Sequence, residues 1–220
     1  EGGYKVNDYE VEFSTDFVTG TVGYDQFFGT QGYTTIMLSD VMGDHRLNVA
    51  LNIYGDLKNA DYGLSYFYLK NRLDLGFSGY HNAYYFFSYN TGWVRDRNYG
   101  LSMYMSNPFS RYSRISGGMS FMGINRDYLD IPDEIADFYI GEGVLSKRDR
   151  FFWLNNLSYT KDNTVWGYTG PTRGTRWTVG LTYSPKIQDF GLDFTTLRAD
   201  WRRYVSIADG YTLGLRGATG

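Results

Sequence analysis

The chain has no cysteine. That excludes disulfides, thiolate metal sites and a cysteine nucleophile. No stretch of about 18 apolar residues exists, so no helix of this sequence crosses a membrane. The net charge is only −3, too small to point to nucleic acid or to an acidic tail. Proline is scarce, at 4 residues, and histidine scarcer, at 2. No repeat of fixed period is visible. There is no signal peptide, and the chain opens on Glu1, which reads as a mature or excised segment.

Aromatic residues, by contrast, make up 19% of the 220 positions, with 22 Tyr, and glycine supplies 27. Soluble domains rarely carry so much Tyr and Phe, whereas outer-membrane barrels place aromatic girdles at both lipid interfaces. Most of the 21 basic residues are Arg, the residue suited to fixed, bidentate ion pairs. The mean hydropathy of −0.41 does not oppose a membrane, because barrel strands alternate and average out.

Thr175 to Ser184 shows the pattern most clearly. Trp177, Val179, Leu181 and Tyr183 fall on one side, and Arg176, Thr178, Gly180, Thr182 and Ser184 on the other. Period-two alternation is a strand with one apolar and one polar or small face. Such a strand fits a soluble sandwich, or a barrel whose apolar face meets lipid. The same alternation recurs, giving roughly eleven strands joined by hairpins. They are expected at 16–24, 32–39, 46–54, 62–69, 73–89, 99–106, 111–125, 151–160, 175–184, around 195–202 and from 211. Gly55–Ala60, Asn90–Asn98, Arg126–Arg150 and Pro185–Phe190 read as loops, and Asn107–Ser110 as a turn. Short turns follow the second, fourth and sixth strands, and longer loops follow the first, fifth and seventh. That alternation favours the barrel over a sandwich with Greek-key crossovers. The fold class is therefore all-β, an antiparallel up-and-down transmembrane β-barrel in the bacterial outer membrane. Residues 1–14 form a leading segment from a periplasmic region, and 15–220 the barrel. Eleven is an odd count, and an open edge in lipid leaves backbone groups unpaired. The barrel is thus expected to continue beyond Gly220.

Several residues resemble a known family. Asp162-Asn163, then Gly170-Pro171-Thr172-Arg173-Gly174-Thr175-Arg176, is similar to a turn of the BamA/TamA bacterial surface antigen superfamily. Asp200-Trp201-Arg202-Arg203-Tyr204-Val205 resembles a strand that ends there in Tyr-Val/Ile-Pro, with Ser206 in place of Pro. Leu38 to Leu47 resembles a turn of a branch whose barrels follow a TolB-like propeller. The resemblance implies a sixteen-stranded barrel, of which this chain supplies the first eleven strands. It implies work in insertion or translocation of proteins, with no enzyme activity and no cofactor. It implies lipid, lipopolysaccharide and other outer-membrane or periplasmic proteins as partners. It makes the turn with Gly170, Pro171, Gly174 and Arg176 periplasmic. It also makes the first strand, with Gly20 and Gly23, a lateral seam where incoming strands pair. A passive barrel, a structural subunit or a pore is the alternative.

Arg198, Asp200 and Arg202 share a face with Arg176, and on the barrel reading all four face the lumen. They either line a pore or pair with a plug or loop. His45 and His81 have no metal-site spacing. A lipase-like role for His81 with a nearby Ser is the enzyme alternative. Asp127, Asp130 and Asp133 are candidates for a hard cation, but their spacing matches no EF-hand. A helix from near Pro132, capped by Asp130 with a stripe of Ile131, Ile135 and Phe138, explains that segment better.

Overall fold

In antiparallel sheets, cross-strand partners share a face. The strand register therefore sorts the side chains of this chain directly. The computed structural model describes residues 9–26, 29–54, 56–186, 191 and 193–220. The elements are β1 (Phe13–Asp25), β2 (Gly29–Asp40), β3 (His45–Tyr54), β4 (Asp56–Tyr68), β5 (Asp74–Ser88), β6 (Gly92–Ser110), β7 (Ser113–Tyr128), α1 (Asp133–Gly141), β8 (Asp149–Asp162), β9 (Val165–Trp166), β10 (Pro171–Ser184), β11 (Phe194–Ala208) and β12 (Tyr211–Thr219). Eleven long strands pair antiparallel in chain order, and the short β9 pairs with β10 off that path. The sheet does not close, and β1 and β12 are its two edges. Among the described residues no helix is long and apolar enough to cross a membrane.

One face is a continuous apolar belt. A middle row reads Leu75, Met105, Gly117, Leu157, Leu181 and Leu197 from β5 to β11. A parallel row reads Val49, Leu64, Gly79, Leu101, Phe121 and Trp153 from β3 to β8. The other face carries Ser65, Ser78, Ser102, Ser120 and Leu154 in the row between, mostly small and polar. No core lies beneath the belt. The exposed surface is 15813 Å², against roughly 10,000 Å² for a compact soluble chain of this size. A single layer that exposes so much apolar surface needs an apolar solvent on that side.

The one small core lies at a rim. Val94 and Tyr128 project from the polar face of β6 and β7 onto Ala136 of α1, with Phe86, Ile131, Ile140 and Leu145 packed around them. At 19 residues, β6 is about 60 Å long at the usual rise, and only about 9–11 residues are needed to span a bilayer. The surplus carries α1.

Several sequence expectations are corrected here. Residues 56–60, expected as a loop, belong to β4, and 92–98 belong to β6. In Trp93–Arg97 both faces are partly polar, so no apolar alternation signals the strand. The long loop expected after the fifth strand thus shrinks to 89–91. The turn expected at Asn107–Ser110 is the end of β6, and the chain reverses at 111–112 instead. Pro108 is tolerated there because a strand end needs fewer ladder donors. The break expected at 126–150 starts three residues later, at 129, since β7 runs to Tyr128. Its helix is present, but Asp130 does not cap it: no side chain caps α1, and Asp130 instead accepts the backbone N–H of Trp93 at 2.7 Å. Ile135 and Phe138 are exposed, while Ala136 is buried. The loop expected at Pro185–Phe190 falls largely on 187–190, outside the described residues.

A charge on the apolar face should be far more disruptive than one on the other. Leu157→Arg is expected to destabilise the bilayer-inserted chain by about 2–4 kcal/mol, and the neighbouring Asn156→Arg by well under half of that. Denaturant unfolding of the chain in vesicles measures both.

Candidate functional site

One set of charges on the polar face lies near the rim opposite α1. In one row across β8, β10, β11 and β12 stand Asp162, Arg176, Arg202 and Arg216. Asp200 is one row up, beside Thr178 and Ala218. Three of those four are arginines, so the row needs carboxylates nearby. Asp200 meets Arg202 Nε at 2.8 Å and Arg216 Nη2 at 2.6 Å. Arg176 lies 3.6 Å from Asp162. The four expected charged residues therefore do share one face, and three of them are neutralised within the strand ladder itself. Arg198 stands opposite Gly180 on that face, and no carboxylate pairs with it among the described residues. In the sequence, Asp162 stands out only as part of the turn and Arg216 not at all, although the alternation Thr212, Gly214, Arg216 carries the signal.

The turn below this row is built from its own side chains. Thr175 N–H donates to the Asn163 side-chain oxygen at 2.7 Å. Thr164 N–H donates to Asp162 at 3.0 Å. Asn163 N–H reaches the Thr175 carbonyl at 3.1 Å. Beyond it, β9 pairs Trp166 with Pro171, and Gly170 closes a tight bend by accepting from Gly167 N–H at 2.7 Å. The segment expected as a plain turn thus contains a small hairpin. Gly174 has φ +111°, and a Cβ there would lie 2.5 Å from the Asn163 carbonyl oxygen. Only glycine fits that position.

At the first edge, β1 pairs with β2 alone. Gly20 stands opposite Thr34, and Gly23 opposite Gln31. They fall on opposite faces, because their separation is odd. A Cβ at Gly20 would crowd Thr34 at 3.3 Å, whereas Gly23 is open. Just before β1, the Tyr9 hydroxyl donates to Asp40, which also accepts His45 N–H at 2.8 Å. That hydrogen bond to a carboxylate pushes the Tyr9 phenol up to about 12.

Asp127, Asp130, Asp133 and Asp137, near α1, are engaged by the chain's own donors. Asp127 holds Arg95 and Arg97, and Asp133 and Asp137 hold Arg148. No group of three or more His, Asp or Glu suited to a metal ion occurs among the described residues. His45 lies 2.6 Å from the Tyr66 hydroxyl. His81 contacts the Ala60 carbonyl at 2.9 Å and stacks on Tyr62. On the extended rim, Arg126 makes a two-point contact with Asp96 at 2.7 and 2.6 Å and lies over the Phe86 ring.

No family model and no curated protein matches this sequence. Among solved structures, the chain is similar to BamA from Haemophilus ducreyi lacking POTRA domains 1–3. The TM-score is 0.57 at 12% identity, over 96% of this chain and 42% of that one. The likeness is one of fold: an antiparallel barrel sheet of the BamA type. The chain spans less than half the length of that protein.

Gly174→Ala is expected to unseat the Asn163–Thr175 contacts and destabilise the chain by roughly 1–3 kcal/mol, a strained left-handed backbone plus a clash. Gly170→Ala, whose added Cβ meets nothing within 4 Å, should cost less. Unfolding midpoints of the two variants decide between them.

Proposed function

We propose that the chain is part of an outer-membrane β-barrel of the BamA-like class that helps insert or translocate proteins at that membrane. The observation that carries this reading is the combination of an apolar outer face with a first strand, β1, that pairs on one side only, with β2. An unpaired edge in lipid is costly until another strand covers it. It is therefore a template for an incoming strand, which would gain backbone hydrogen bonds by pairing there. In the complete barrel, further strands would lie beside β12 and bring the last one to face β1. The sixteen strands implied by the sequence resemblance fit that arrangement.

On this reading the work is conformational, without covalent chemistry or a cofactor. The seam at β1 is weak where Gly20 and Gly23 provide no cross-strand side-chain contact. The rim with the β9 hairpin would face the periplasm, where a periplasmic module, such as the TolB-like propeller, would dock. The α1 rim would face outside, towards lipopolysaccharide. A passive barrel or pore is the second reading, favoured by the polar face with its unpaired Arg198.

Gly20 and Gly23 provide the test. In an antiparallel strand, N–H groups point alternately to the two sides. Only one of these two glycines therefore directs its N–H to the open edge. Proline there should stop assembly of a client barrel in vesicles containing the full-length protein, with β1–β2 pairing intact. Proline at the other should detach β1 from β2. Client assembly unaffected by either variant, together with a steady ion conductance, would favour the passive pore.

A further inference from the structure

The apolar face is not smooth. Between two rows of outward side chains runs a groove of about 830 Å³. One wall is Val49, Leu64, Leu101 and Phe121, and the other is Leu51, Tyr62, Tyr99 and Phe151. Gly79 and Gly123 interrupt these rows, and the groove crosses β3 to β8. Its lining is almost wholly apolar and aromatic, and its size is that of a ligand site.

The next outward row towards the α1 rim is Ala83, Arg97, Asn125 and Asp149. Arg97 is two residues from Tyr99, about 7 Å along the strand. Arg95 follows on the same face, opposite Asp127 and Tyr85. Both guanidinium groups converge on a single oxygen, Oδ2 of Asp127, at 2.5 and 2.7 Å. Arg95 also donates to Asn59 at 3.2 Å. Asp149, two strands from Arg97, accepts from the Asn125 amide at 2.8 Å. Two cations thus share one carboxylate at the mouth of the groove, and the Arg97 side chain remains partly exposed there. A cation placed where an aromatic-lined apolar surface meets water is the arrangement that holds an anionic lipid headgroup.

We propose that this groove and Arg97 form a binding site for an acylated lipid with an anionic phosphate headgroup. The acyl chain lies between the two rows. The phosphate meets the exposed part of the Arg97 guanidinium, where it competes with Asp127 for the shared positive charge of Arg95 and Arg97. A phosphate suits a guanidinium because both present paired, planar contacts. The site rests on the membrane reading above, since it needs the apolar face to lie in lipid.

The test uses the full chain in vesicles of dioleoyl phosphatidylcholine with a minor share of dioleoyl phosphatidylglycerol. Flotation first shows whether the chain inserts. The lipids that remain bound after mild detergent extraction are then counted by native mass spectrometry. Phosphatidylglycerol should be enriched over its share in the vesicle. Arg97→Gln should reduce that enrichment about fivefold, the effect of one cation near a charged lipid surface. Asp127→Asn should raise it, because it frees positive charge at the same place. A residue of merely structural importance would not move it in that direction. Leu64→Trp, which fills the groove, should lower retention of both lipids. A chain that floats but retains the two lipids in vesicle proportion overturns the lipid site alone. So does Arg97→Gln with unchanged selectivity, or Asp127→Asn with a lowered one. A chain that fails to float overturns the membrane reading with it.

Discussion

The ladder of backbone hydrogen bonds between neighbouring strands is what everything else in this chain depends on. A protein with almost no buried apolar side chains has no core to hold it together. Its strands stay together because each N–H and C=O inside the sheet has a partner on the next strand, and hydrocarbon offers no other partner. The side chains then follow by geometry. Alternate residues face opposite sides, so one apolar belt and one polar face arise from the same eleven strands.

The strands do not stop where the belt stops. In β5 to β8 the ladder continues while the side-chain pattern changes from apolar against small to charged on both faces. Arg95, Arg97 and Asp127 occupy the outer side, and Asp96, Arg126 and Val94 the inner. The inner side receives α1 through Ala136. A single set of strands therefore forms the apolar belt, a platform for α1, and a rim lined with charges. At the opposite rim the polar face closes up its own charges, with Asp200 between Arg202 and Arg216.

The belt was legible in the sequence because lipid imposes the alternation there. Trp177, Val179, Leu181 and Tyr183 read as one face at sight, and the eleven long strands followed. Beyond the belt that constraint disappears. Residues 56–60 and 92–98 look like polar loops because their sequence has no regular apolar alternation, although backbone pairing continues. The shared face of Arg176, Arg198, Asp200 and Arg202 followed from parity alone. Their partners did not, since which carboxylate meets which arginine depends on register, and register is set across strands distant in sequence. The cap of α1 was misjudged for a similar reason. Asp130 has the right chemistry for a cap, but β6 presents it with the Trp93 N–H instead. The groove beside Gly79 and Gly123 could not be read at all, because it exists only when five strand pairings align those glycines with their neighbours.

The central claim is that the face bearing Leu101, Met103 and Met105 lies in lipid. Spin labels placed one at a time at residues 101 to 105, with the full chain in vesicles, test it directly. Accessibility to oxygen, which concentrates in the bilayer, is compared with accessibility to a water-soluble nickel chelate. The account predicts that labels at 101, 103 and 105 favour oxygen while those at 102 and 104 do not. Equal access of the chelate to both sets, or the reverse alternation, would contradict it.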